Sequence, residues 1–294
     1  MGLPLIAIVG TTATGKSELA IKLAERHNGE IVSADSWLVR KYLDIGTAKP
    51  TKDMQRTVPH HLIDIIEPDE DYSAAEYKKQ AQKVIEDILS RGKLPILVGG
   101  TGLYVDAVLY NYSFLNKSDK ATRDGLNSMS LSELHHLAEL KGLDTTQIDA
   151  RNKRRVIRLI EAEGALPSKG ELRANTLVIG LRAKSEDMRS AIKKRVDTMF
   201  ELGLIKEVER MKNKYGWDCE GLKGIGYSEW RLYFEGNQSL LETKERIIKD
   251  TMALARRQQT WFKRNKSIHW FTSPVNIDNV DTFITTNLNK FMSD

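Results

Sequence analysis

Apolar residues along this chain fall into two kinds of pattern. Short continuous runs read as strands buried on both faces: Leu3 to Val9, Ile31–Val32 with their flanks, Leu94 to Val98, and Leu177 to Leu181. Between these runs, apolar positions recur at helical spacing and begin at recognisable start signals. Ser73-Ala74-Ala75-Glu76 has the capping-box form and opens a helix running toward Arg91, with Gly92 as its stop. Ser130-Leu131-Ser132-Glu133 and Ser239-Leu240-Leu241-Glu242 repeat that signal. Strands alternating with helices predict an α/β fold, a three-layer core around a parallel sheet. The stretch Leu115 to Ser168 breaks the alternation, being polar and helix-patterned with no strand. It predicts a helical insertion at 115–168, a lid or swinging domain, on a core built from 1–114 and 169–294. The C-terminal part is again mostly helical and ends near Ile268-His269-Trp270-Phe271, an expected edge strand.

Chemistry enters at the end of the first apolar run. Gly10-Thr11-Thr12-Ala13-Thr14-Gly15-Lys16-Ser17 fits G-x-x-x-x-G-K-[ST] and is followed by a helix-like segment, Ser17 to Ala24. Strand, glycine turn and helix in that order make the pattern a P-loop NTPase-like site, and a di- or triphosphate is the expected ligand. Backbone N–H groups close around phosphate oxygens at the positive end of a helix. Lys16 adds a mobile cation, and Ser17 a hydroxyl suited to Mg²⁺.

The second run, Glu30-Ile31-Val32-Ser33-Ala34-Asp35, ends in a carboxylate at the sheet edge where ligands bind in open α/β folds. Asp35 in that place suits a metal-organising carboxylate, a general base or a cap on the next turn. Leu97-Val98-Gly99-Gly100-Thr101-Gly102-Leu103-Tyr104 is a second strand–glycine–helix passage. Gly99 and Gly100 either let the backbone approach a ligand or serve plain turn chemistry. Thr101 is a candidate donor to a phosphate or leaving-group oxygen.

Composition narrows the class of protein. With 29% charged and 40% hydrophobic residues, the 294-residue chain reads as globular. No apolar run approaches the roughly 18 residues of a membrane span, so a cytoplasmic protein without membrane attachment is expected. A single cysteine excludes an internal disulfide and a multi-cysteine zinc site. The net charge of +5 is modest, but its distribution is informative. Arg151-Asn152-Lys153-Arg154-Arg155-Val156-Ile157-Arg158 is one basic cluster. Arg256, Arg257, Lys263, Arg264 and Lys266 form another around Trp261 and Phe262. Each alone suits a solvated helix face. Two of them beside a phosphate-binding fold point to nucleic acid, held through phosphate contacts and aromatic stacking.

Several of these segments together resemble the tRNA dimethylallyltransferase family in its bacterial form. They are the 10–17 loop, Ser33-Ala34-Asp35-Ser36, Asp44-Ile45-Gly46-Thr47-Ala48-Lys49-Pro50 and Leu97-Val98-Gly99-Gly100-Thr101. Gly224-Ile225-Gly226-Tyr227 and Arg256-Arg257-Gln258-Gln259-Thr260-Trp261-Phe262 extend the resemblance over almost the whole chain.

The resemblance implies transfer of a dimethylallyl group from dimethylallyl diphosphate to N6 of adenosine 37, in tRNAs reading codons that start with U. It implies Mg²⁺ as cofactor, the tRNA anticodon stem-loop as partner and a monomeric enzyme. Asp35 matches the general base, with Thr101 and Lys16 completing the catalytic set. Gly10, Thr11, Thr12, Ala13, Thr14, Gly15, Lys16 and Ser17 match the diphosphate site, with Arg195 as a further contact and Ser17 as the metal ligand. Matches to tRNA contacts are Asp35, Ser36, Trp37, Leu38, Thr101, Arg123, Arg154, Arg155, Val156, Ile157, Arg158, Lys223, Gly224, Ile225, Gly226 and Tyr227. Leu38, Arg40, Leu43, Ser228 and Met252 depart from the family's usual residues. A P-loop kinase, an adenylate isopentenyltransferase acting on free AMP, and a catalytically silent RNA-binding protein that keeps the fold are the alternative readings.

Overall fold

The computed structural model describes residues 4–115 and 118–293. Leu3 of the first expected strand and positions 116–117 of the expected insertion lie outside the described residues. The chain divides into two compact units, Met1–Leu109 with Leu172–Asp294, and Tyr110–Glu171.

The first unit is organised by a parallel sheet. Its strands are β1 (Leu5–Gly10), β2 (Gly29–Ser33), β3 (His60–His61), β4 (Leu94–Gly99), β5 (Thr176–Arg182) and β6 (Ile268–Thr272), in the spatial order β3-β2-β4-β1-β5-β6. All four apolar runs and the expected edge strand form. Every residue of β1, β2 and β4 is buried, which is why these strands read as continuous apolar runs. Ile6, Ile8, Ile31, Ile96, Val98 and Ile179 join a core with Leu19, Ala20 and Leu23 of the helix Lys16–Arg26 and with Val280 and Ile284 of the helix Ile277–Ser293. Leu5, Ala7, Val9 and Leu97 alternate with these residues, so they lie on the opposite face, and they are equally buried. Both faces are therefore covered, as the α/β pattern requires.

The sequence pattern does not anticipate β3, because two histidines carry no apolar signal. This edge strand pairs with Ile31 and Val32, and the Glu30 carboxylate anchors it. Buried Glu30 accepts hydrogen bonds from Arg91 (2.6 and 2.8 Å) and Lys93 (2.7 Å) and contacts His61 Nε2 at 2.7 Å. The Arg91 guanidinium, with Lys93 and His61 behind it, holds that carboxyl well below the usual range against the opposing effect of burial.

A second core in this unit joins the C-terminal helices. Met188, Ile192 and Val196 of the helix Ser185–Glu201 pack with Leu204, Val208 and Met211 of the helix Leu204–Tyr215. Ile247 and Ala255 of the helix Leu240–Phe262 close it.

The second unit is helical: Lys120–Ser128, Leu131–Leu140 and Lys153–Glu161 pack through Leu126, Leu134, Ala138, Val156, Ile157 and Ile160. It begins before Leu115 and ends after Ser168, because its stem is zipped. Ser113 N–H donates to the Ser168 carbonyl and Gly170 N–H to the Tyr110 carbonyl, each at 2.8 Å. All three predicted capping boxes close, at Ser73/Glu76, Ser130/Glu133 and Ser239/Glu242. No helix among the described residues is long and apolar enough to cross a membrane.

Candidate active site

The strand order brings three loops to one edge. β2, β4 and β1 are adjacent, and all three run parallel. At about 4.8 Å per strand, the loops leaving their carboxyl ends line up over roughly 10 Å. They carry Asp35, Thr101 and Lys16 respectively.

The loop after β1 turns sharply into the helix that follows it. Gly15 stands at φ +83° immediately before the helix Lys16–Arg26, a conformation glycine takes without strain. Thr14 donates its hydroxyl to the Thr11 carbonyl at 2.8 Å, and Lys16 Nζ folds back onto the same carbonyl. Arg195, from the helix Ser185–Glu201, donates to Thr12 Oγ1 at 3.0 Å. Ser17 is exposed in the first helical turn, and its hydroxyl makes no hydrogen bond among the described residues.

The glycines of the β4 loop serve the protein itself. A Cβ at Gly99 would stand 2.1 Å from the Ala34 carbonyl oxygen, and one at Gly100 would stand 2.3 Å from Gln258 Nε2. These close approaches knit the three loops together. Thr101 N–H donates to the Ala34 carbonyl at 3.2 Å, and Ser36 N–H donates to Thr101 Oγ1 at 3.1 Å. Gln258 reaches in from the helix Leu240–Phe262. Its Oε1 accepts from Thr12 N–H at 2.7 Å and its Nε2 donates to the Gly100 carbonyl at 3.1 Å. Sequence alone does not single out Gln258 as a site residue. Its only signal is its place in the Arg256–Phe262 segment, since a glutamine on a helix has no charge or periodicity to mark it.

Electrostatics couple three of the candidate site's side chains. Half-buried Lys16 is brought down to about 7 by burial and by the Arg195 charge, with Asp35 acting in the opposite sense. Burial raises the Asp35 carboxyl, opposed by the Trp37 N–H at 2.9 Å, the Lys16 ammonium, the Leu38 N–H and Arg195. Burial lowers Arg195, and Asp35 works against that. A carboxylate made more basic by desolvation, beside two cations, is suited to taking a proton while an anion is held close by.

Other expected contact residues have different surroundings. Val156 and Ile157 are 0% and 1% exposed in the core of the helical unit, because the basic run is amphipathic and these two face inward. Their side chains are core residues, so any RNA contact by this run falls to its exposed side chains. Arg123 and Arg158 both pair with buried Glu161, so neither guanidinium is free. Arg154 and Arg155, by contrast, are exposed and have no side-chain partner among the described residues.

Tyr227 is fully buried, and its hydroxyl donates to Glu207 at 2.6 Å. That carboxylate also accepts from the N–H groups of Asp44, Ile45 and Gly46. The Tyr227 hydroxyl thus pins, through Glu207, the backbone of the 44–50 turn. Lys49, in the same turn, is buried between the Arg40 carbonyl, Asp44 and Asp64. Gly224 and Gly226 are buried against the Trp37 ring and the Gly46 backbone, which leaves Lys223 and Ile225 toward the surface, Lys223 paired with Glu220. Ser36, Trp37 and Leu38 remain partly accessible beside Asp35. Phe262 is buried and cannot stack on a base, whereas Trp261 is half-exposed against Gly102.

The family described as IPP transferase matches residues 38–265. The tRNA dimethylallyltransferase of Pelotomaculum thermopropionicum is 43% identical, over 91% of this chain and 90% of that protein. The Bacillus subtilis tRNA dimethylallyltransferase is 38% identical, over 94% and 93%. Among solved structures, the full-length tRNA isopentenylpyrophosphate transferase of Bacillus halodurans superposes with a TM-score of 0.78 at 36% identity, covering 99% and 98% of the two chains. A eukaryotic dimethylallyltransferase acting on tRNA gives a TM-score of 0.81 at 26% identity, covering 99% of this chain and 80% of that one.

Proposed function

The chain belongs to the IPP transferase family, and on that premise we propose that it transfers the dimethylallyl group of dimethylallyl diphosphate to N6 of adenosine 37 in tRNA. The observation that carries this reading is the convergence of the loops bearing Lys16, Thr101 and Asp35 at the carboxyl edge of the neighbouring strands β1, β4 and β2, with Arg195 hydrogen-bonded to Thr12 of the Lys16 loop. The adenine N6 attacks the first allylic carbon, the carbon–oxygen bond to diphosphate breaks, and the N6 proton passes to the Asp35 carboxylate. Diphosphate leaves with its charge held by the N–H groups of the 13–17 loop, by Lys16 and by Arg195. The uncommitted Ser17 hydroxyl suits Mg²⁺, which takes few protein oxygens beside phosphate oxygens and water. Such an ion, when bound there, would further neutralise the leaving group. Thr101 holds Ser36, and through it the loop that carries the base.

An adenine inside a stacked anticodon loop cannot meet the allylic carbon, so the base is extruded into the site. Ser36, Trp37 and Leu38 are the accessible residues next to Asp35 for reading it. Stacking and loop shape, rather than groove contacts, suit single-stranded RNA. On the helical unit, Arg154 and Arg155 provide free cations for phosphates. Replacing both by Ala is expected to weaken tRNA binding and to flatten the plot of log affinity against log salt by about 1 for each phosphate no longer neutralised. Filter binding over a salt series measures this, and an unchanged slope would make the two arginines ordinary surface residues.

The direct test supplies Mg²⁺, radiolabelled dimethylallyl diphosphate and unmodified tRNA reading codons that start with U, with AMP in a parallel reaction. Label in tRNA without any ATP is the expected result. Label in AMP alone would replace this reading with the free-nucleotide transferase.

A further inference from the structure

We propose that Gln258 is a positioning residue that makes diphosphate binding and placement of the base one event. The inference rests on the transferase reading above. Its side-chain amide spans the backbones of two loops that follow separate strands, accepting from Thr12 N–H (2.7 Å) and donating to the Gly100 carbonyl (3.1 Å). Gly100 is followed by Thr101, whose N–H holds the Ala34 carbonyl and whose hydroxyl accepts the Ser36 N–H. Ala34 and Ser36 flank Asp35. A chain of short contacts thus runs from the phosphate loop through Gln258 to both neighbours of the base. It enters and leaves through backbone groups, so side-chain rotation at the phosphate loop cannot absorb a displacement before it reaches Asp35.

The geometry also sets Gly100 against Gln258 as a matched pair. A Cβ at residue 100 meets Gln258 Nε2 at 2.3 Å, and its next closest neighbour outside Gln258 is the Gly10 carbonyl oxygen at 3.6 Å. Gly100→Ala therefore displaces the amide and little else. It should reproduce the loss of Gln258 and add nothing once Gln258 is gone.

Three variants test this: Gln258→Ala, Gly100→Ala and the double substitution. Gln258→Ala is expected to lower kcat for transfer by ~10–100-fold, the cost of misplacing reacting groups by about an ångström. Its affinity for inorganic pyrophosphate should change less than about threefold, because Gln258 is not itself one of the loop's donors and those donors remain. The double variant should be no slower than either single one, the mark of two changes that break one interaction. An unchanged kcat would overturn the proposal. So would kcat, pyrophosphate affinity and Tm falling in step, or single effects that multiply.

Hydrogen exchange separates this inference from the function it rests on. In the wild-type protein, pyrophosphate should protect the peptide spanning 11–17 and also the one spanning 99–104; in Gln258→Ala only the first should be protected. Equal spread of protection in both proteins would overturn the linkage. A wild-type protein that transfers no label would instead defeat the transferase reading, with the exchange result still deciding the role of Gln258.

Discussion

Asp35→Asn is expected to lower prenyl transfer by ~10²–10⁴-fold, the range for losing a general base, while leaving tRNA affinity close to that of the parent protein. Asparagine keeps the size of the side chain and an oxygen that can accept the Trp37 N–H now received at 2.9 Å. What it removes is the site for the N6 proton. Burial raises the Asp35 carboxyl above its ordinary range, and the Trp37 N–H, Lys16, the Leu38 N–H and Arg195 limit the rise. A base raised in this way protonates as pH falls, so transfer by the parent protein should drop on the acid side, and the variant's residual rate should lack that limb. Single-turnover rates across pH, with tRNA binding measured separately, decide the matter. A collapse of tRNA affinity with the rate would mean that Asp35 holds the RNA rather than the proton.

Lys16→Met should cost ~10²–10³-fold in kcat/KM for dimethylallyl diphosphate, comparable to removing one preorganised donor from a developing anion. The pH dependence supplies a sharper signature. Lys16 is brought down to about 7, first by burial and then by Arg195. Above that pH the ligand-free protein holds the lysine neutral, and an arriving diphosphate favours its charged form. Binding then takes up a proton, and affinity for pyrophosphate falls as pH rises through about 7, approaching tenfold per pH unit. Lys16→Met removes this alkaline limb and leaves any titration of the ligand itself. Calorimetry in buffers of different ionisation enthalpy reads the proton uptake directly. Equal proton uptake in the parent and Lys16→Met proteins would assign the titration to another group.

The two substitutions probe parts of the site that are legible in the sequence to different degrees. The 10–17 loop and Asp35 can be read locally, because a glycine turn between a buried strand and a helix brings its own scaffold. A carboxylate at the end of the next apolar run inherits its place from the sheet. The helix starts are equally local, since a capping box needs only residues three apart, and all three close as the pattern predicts. The basic run at 151–158 is legible as charge but not as surface. Its helix turns Val156 and Ile157 into the core, and pairs Arg158 with Glu161. Tyr227 shows the same limit from the other direction. As part of a motif it resembles a contact residue, yet its hydroxyl is committed to Glu207, which also gathers the N–H groups of the 44–46 backbone.

The sequence by itself determined the class of fold and the family, and it singled out the 10–17 loop and Asp35 as the candidate site. Each of these is carried by contiguous residues whose spacing matches the period of a strand, a helix or a turn. Only the tertiary structure decided which cations stay free, why Gly99 and Gly100 are glycines, and that Gln258 joins Thr12 to the β4 loop. Those facts depend on side chains and backbones brought together from distant parts of the chain. Hydrogen bonds of that kind form according to how strands and helices pack, and local periodicity records only which face of an element is buried, not what it meets there.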